Sequence, residues 1–233
     1  MDEFWINDLD LSTLTSEQFA TFFFDRPIVE GVDAKYKLFL GEFECFAISP
    51  SNPAAFVANV QAVCLNFGDL AKIYSPDQLD QGLWTMFGGV LHCEEYLFDP
   101  TIESSLRVDC VKSMYLPFRD VVANLTIDVK ESFYWMWWDI VLHGLYPVPK
   151  EYKYGYLTLT NDQSQMIDTI FQTLSKILAL DHRGCQICAL HGLGHLYHPY
   201  SEQLVQSYLD EHRSAFNDED VRWIEDCRDS SVL

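Results

Sequence analysis

Residues 185–199 read CQICALHGLGHLYHP, which puts two cysteines and three histidines into a span of fourteen residues. Side chains of these types do three kinds of work. They ligate transition metals, they pair a thiolate nucleophile with a base, or they line a surface that recognises a partner. On a helix, at about 100° per residue, His191, His195 and His198 share a stripe about 60° wide beside Cys188. Ala189, Leu190, Leu193 and Leu196 take the opposite side. All ligands of one zinc ion must converge within about 2.0–2.3 Å of it. Cys185 and His195 are separated by roughly 15 Å of helix axis, so they cannot share an ion. The HExxH pattern is also missing, because Gly192 follows His191. The weak metal candidates are therefore His191, His195 and Cys188, and a further ligand would have to come from His143 or Asp139. A thiolate pairing of Cys188 with His191 or His195 lacks the glycine-rich turn or nucleophile elbow that such chemistry uses. No phosphate-binding or dinucleotide-binding glycine motif occurs either. These observations predict no catalytic residue, no cofactor and no enzyme. They leave the His stripe as a packing or recognition face, with Gly192 and Gly194 permitting close helix approach.

The elements that carry these residues read as helices almost throughout. Thr15 with Gln18, and Ser75 with Gln78, form capping boxes. Asn52 caps a helix that opens with Pro53. Further helices follow over "IESSLRVDCVKSMYLPFRDVVANL", punctuated by Pro117, and over "KESFYWMWWDIVLHGL". "NDQSQMIDTIFQTLSKILAL", the His-rich stretch, "SEQLVQSYLDEH" and "NDEDVRWIEDC" complete the set. Residues 28–48 are the exception, since their β-branched and aromatic content suits a small β-hairpin or a helix after Gly31. No Gly/Ser-rich or Pro-rich tract divides the chain, which predicts a single α-helical domain over 1–233. Trp135, Trp137 and Trp138 cannot all face one way on a helix. A wide core face takes most of them and leaves one for an interface.

The net charge is −20, from 35 acids against 15 bases. Residues 1–33 carry a net −7 and residues 210–229 a net −5. This balance argues against nucleic acid and against an anionic membrane surface, both of which need Lys and Arg. It favours a basic protein partner drawn in by long-range attraction. The acidic N-terminus lacks a signal-peptide pattern, and the "FYWMWW" run is too short to span a bilayer, so a cytoplasmic location is expected. The seven cysteines are odd in number and mostly apolar in context, which predicts buried free thiols rather than disulfides.

"RVDCVKSM" (107–114) and "RGCQICAL" (183–190) form a weak repeat 76 residues apart. A helix, a tight turn with Asp181 and Arg183, then a helix carrying Ala189, Leu190, Leu193 and Gly194 resembles a HEAT repeat over residues 162–197. The resemblance implies an all-α fold of stacked antiparallel helical hairpins, a HEAT- or armadillo-like α-solenoid. In size, charge and lack of a catalytic motif the chain also resembles the acidic helical immunity proteins of bacterial polymorphic-toxin systems. That class resemblance implies neutralisation of a basic toxin, such as a secreted nuclease, by occlusion. The partner-binding residues expected on this reading are His191, His195, His198, Trp138, Asp139, Tyr152 and Asp181. The alternatives are a metal-dependent hydrolase centred on residues 188–198, and an acidic scaffold or DNA mimic.

Overall fold

A computed structural model describes residues 10–28, 50–87, 93–126, 129–144, 152–155 and 158–232. Among them every regular element is a helix, as the sequence predicts, and no strand occurs. The hairpin expected near 28–48 lies outside the described residues, apart from Ile28. No described helix is long and apolar enough to cross a membrane. The chain divides into two compact units, residues 1–117 and 118–233.

In the first unit the local start signals form as expected. Helix α1 (Ser16–Phe24) opens with the Thr15/Gln18 capping box, and α2 (Pro53–Leu65) opens with Asn52 accepting from the Ala55 N–H. After the short α3 (Phe67–Leu70), α4 (Pro76–Phe87) opens with the reciprocal Ser75/Gln78 bonds at 3.1 and 3.2 Å. Then come α5 (Cys93–Leu97) and α6 (Ser104–Ser113). Helix α7 (Tyr115–Asp120) straddles the division between the units, with Pro117 in its first turn, where a missing N–H is harmless. Phe19, Phe23, Phe56 and Phe67 fill the core of this unit. Helix α1 lies so close to α4 that a Cβ on Gly82 would collide with the Phe24 ring.

The second unit is built around one helix. After 3₁₀ turns at Val122–Asn124 and Val129–Glu131 come α8 (Phe133–His143) and α9 (Asn161–Leu178), the latter opened by a Thr160/Gln163 capping box. Helices α10 (Arg183–His195), α11 (Ser201–His212) and α12 (Asp218–Asp229) follow. Helix α10 is the hub, packed against α8, α9, α11 and α12. Its two C-terminal glycines make this possible. A Cβ at Gly192 would sit 2.7 Å from Trp138 Cβ and 2.8 Å from Leu174 Cδ2, and one at Gly194 would sit 2.6 Å from Val232 Cγ1. Alanine spacing would push α8 and α9 away from the hub. The α12 end is closed by Lys153, whose Nζ donates to the Arg228 carbonyl at 3.0 Å and to Ser230 Oγ at 3.1 Å. Ser230 takes the left-handed conformation there, at φ 56°.

The sequence repeat at Arg107 and Arg183 does not carry a shared role. Arg107 is 2% exposed and donates to the Ile102 and Leu97 carbonyls. Arg183 is exposed, lies over the Phe216 ring at 4.1 Å and pairs with Asp220 at 3.5 Å.

Candidate functional site: a histidine pair between α8 and α10

His191 and His195 lie one turn apart on α10 and face α8, so their stripe meets a neighbouring helix. The His191 ring stacks on the Trp135 ring with centroids 4.1 Å apart and planes at 13°. Its Nδ1 lies 3.0 Å from the Trp135 carbonyl oxygen. A carbonyl can only accept, so the His191 proton sits on Nδ1 and donates to it. That leaves His191 Nε2 a bare lone pair, and His195 Nε2 approaches it at 3.2 Å. His195 must therefore be the donor in that contact. Its own Nδ1 faces Asp139 Oδ1 at 3.6 Å. The result is a directional chain from His195 through His191 to the backbone of α8, with the Asp139 carboxylate beside the unprotonated Nδ1 of His195 and beyond hydrogen-bond distance.

Charge inside this chain is disfavoured at the inner ring. Burial pushes His191 down to about 4, with the Trp135 carbonyl opposing and the charge of His195 assisting. Burial also lowers His195, against the Asp139 carboxylate and with help from His143. His191 is 2% exposed, whereas the side chains of His195 and Asp139 retain 25% and 20%. Solvent thus meets the chain at its His195–Asp139 end. Trp223 of α12 leans against Trp135 at 5.5 Å and covers the inner side with Lys130 over the same ring at 6.0 Å.

The expected stripe is shorter than the helical wheel implied. Helix α10 ends at His195, and Leu196 is already extended at φ −84°, ψ 106°. Pro199 disfavours helical backbone at His198. His198 therefore leaves the stripe and turns to α9, where its Nε2 donates to Asp168 Oδ1 at 3.0 Å and its ring stacks on Phe171 at 4.0 Å. Its Nδ1 accepts from the Tyr200 N–H at 3.1 Å, so both nitrogens are used. Burial lowers the His198 pKa while Asp168 opposes the shift. Tyr152 borders the same carboxylate. Its phenol is pushed up first by burial and then by the Asp168 charge.

Three of the residues expected to anchor a partner are inside. Trp138 is fully buried against Gly192, His191 is 2% exposed and His198 4%. Each is held by a neighbouring helix, which removes it as a surface anchor. His195, Asp139 and Tyr152 are half-buried, and Asp181 is exposed in the turn before α10, apart from the pair. Cys188 is buried, and desolvation holds its thiol protonated far above the usual range. Among the described residues no three His, Cys, Asp or Glu side chains are arranged to hold a metal ion, so Cys188 does not join the histidines. Trp135 and Asp168 were not among the expected site residues. Trp135 sits four residues before Asp139, on the same face of α8, and that spacing is the signal by which it could have been found.

No protein-family model matches the chain, and neither the curated proteins nor the solved structures compared with it include a similar one.

Proposed function

We propose that the protein is a binding module for a basic protein, acting by occlusion, and that it serves as an immunity protein against a basic toxin domain. The observation that carries this reading is the charge of −20, concentrated at the acidic stretches described above. In the second unit, α12 buries Val221, Ile224 and Cys227 and turns Asp218, Glu219, Asp226 and Asp229 to solvent. Asp210 and Glu211 add to the exposed charge at the end of α11. Such a surface accelerates encounter with a basic partner and imposes a steep salt dependence. Exposed Tyr200 and Tyr154, at 63% and 59%, replace the buried Trp138 as aromatic anchors. The α9–α10 hairpin, joined through residues 179–182, supports a HEAT-like stacking of helical pairs and a surface-presenting role.

The test is affinity capture from the source cell with the full chain as bait, followed by charge reversal. A basic protein should bind 1:1 and elute as salt rises. An Asp218→Lys/Glu219→Lys/Asp226→Lys protein should lose it at least tenfold. Recovery of no basic partner, or equal recovery by the reversed-charge protein, sinks the reading.

A further inference from the structure

The histidine pair is a separate feature from the acidic surface. We infer that His191 Nε2 and His195 Nε2 form an open binding site for one borderline divalent cation of the Zn²⁺, Ni²⁺ or Cu²⁺ class. Two nitrogens bound at about 2.0–2.1 Å to a tetrahedral ion stand roughly 3.3 Å apart. The two Nε2 atoms are 3.2 Å apart. The His191 ring is also set up as a ligand ring is, and Asp139 stands where it can receive the second N–H of His195 once the ion is bound. Metal-binding histidines use their second nitrogen on a backbone carbonyl or a carboxylate, which orients the ring and raises its basicity. His191 Nδ1 takes the Trp135 carbonyl and His195 Nδ1 faces Asp139. The residues stand at i and i+4 of one helix, the spacing by which helical histidines converge on an ion.

Imidazole nitrogens select the borderline transition ions over Mg²⁺ and Ca²⁺, which prefer oxygen. In the metal-free chain the His195 proton sits on Nε2; when the cation binds beside the two nitrogens, that proton moves to Nδ1, on the side of the Asp139 carboxylate, and frees the Nε2 lone pair for the ion. Stacking of His191 on Trp135 fixes the inner ligand, and half-buried His195 gives the ion its route from solvent. With two protein ligands, the remaining positions go to water. The site is therefore open, and Cu²⁺ should bind more tightly than Ni²⁺ or Zn²⁺.

The experiment uses the full chain stripped with a chelator. Zn²⁺ is titrated calorimetrically, and Cu²⁺ is followed by electron paramagnetic resonance. One equivalent should bind saturably, with two nitrogen couplings in the Cu²⁺ spectrum. His195→Ala should weaken binding at least tenfold and remove one coupling. His195→Gln repeats the loss with better helix propensity, which guards against a folding defect. Asp139→Asn should weaken binding about tenfold through the lost outer-shell contact. His212→Ala, whose ring nitrogen is engaged with the Tyr208 carbonyl at 2.9 Å, should change nothing. No saturable binding, or a Cu²⁺ spectrum and affinity unchanged in both His195 variants, overturns the site. Unweakened binding by Asp139→Asn overturns the role given to that carboxylate.

Discussion

His191 and His195 meet nitrogen to nitrogen at 3.2 Å, and the direction of that contact is dictated from outside the pair. The Trp135 carbonyl claims the only proton on neutral His191, so His195 must donate. This one backbone acceptor sets the tautomers of both rings.

The first prediction concerns pH. His191 is held at about 4, below its unfolded value near 6.5, because burial disfavours the imidazolium. A depressed histidine binds its proton less readily when folded than when unfolded. Stability is therefore unaffected by this group above about pH 6.5 and falls as pH drops from there toward 4. Denaturant midpoints measured across that range should decline, and His191→Gln should flatten the decline. Nitrogen NMR should show the Nδ1–H tautomer at neutral pH. An Nε2–H signal for His191 would contradict the chain.

The second prediction concerns the hub glycines. Gly192→Ala forces a methyl into Trp138 Cβ and Leu174 Cδ2, at 2.7 and 2.8 Å, inside a packed core. Overpacking of this kind costs about 1–3 kcal/mol. Gly194→Ala meets one Val232 methyl at 2.6 Å and next the Cys227 Cα at 3.1 Å, fewer severe contacts than at Gly192, so its cost should be smaller. Paired thermal melts decide the order. A Gly192→Ala protein as stable as the parent would contradict the packing.

The third prediction concerns thiols. Cys64, Cys110, Cys185, Cys188 and Cys227 are free and buried. Desolvation pushes Cys64 and Cys185 up to about 12 and the other three upward as well. The thiolate is the reactive form. At pH 8 a disulfide reagent should label no more than the two remaining cysteines, Cys45 and Cys93, until the protein unfolds. Rapid native labelling at Cys188 would be inconsistent with its burial.

The fourth prediction concerns a cap. Thr160 accepts from the Gln163 N–H at 3.2 Å and Gln163 returns the bond at 3.1 Å, opening the helix that packs on the hub. Thr160→Ala should cost about 1 kcal/mol, read as a lower denaturant midpoint with an unchanged slope. Thr160→Ser should restore most of it.

Local signals in the chain determined the helices. Thr15, Asn52 and Ser75 start elements where their side chains satisfy orphan N–H groups, a matter of a few neighbouring residues. Periodicity likewise separated the His face of α10 from its Leu face and kept Cys185 away from His195. Gly192 and Gly194 announced close packing because only a missing Cβ allows it. The division after Pro117 left no trace, since no linker composition marks it.

Tertiary structure decided the rest, because periodicity says which residues share a face and not what that face meets. Arg107 and Arg183 match in sequence, yet one is enclosed by carbonyls and the other is exposed, lying over the buried Phe216 ring. Trp138 and His191 are polar-tipped side chains able to sit at a surface, and α8 and α10 bury them against each other. His198 belongs to α9 because Pro199 ends the helical path and Asp168, thirty residues earlier, supplies its partner. The proton order of the histidine pair depends on the Trp135 carbonyl, 56 residues away along the chain. A backbone carbonyl is present at every position and carries no residue-type signal, so only the packing of α8 on α10 could assign it that task.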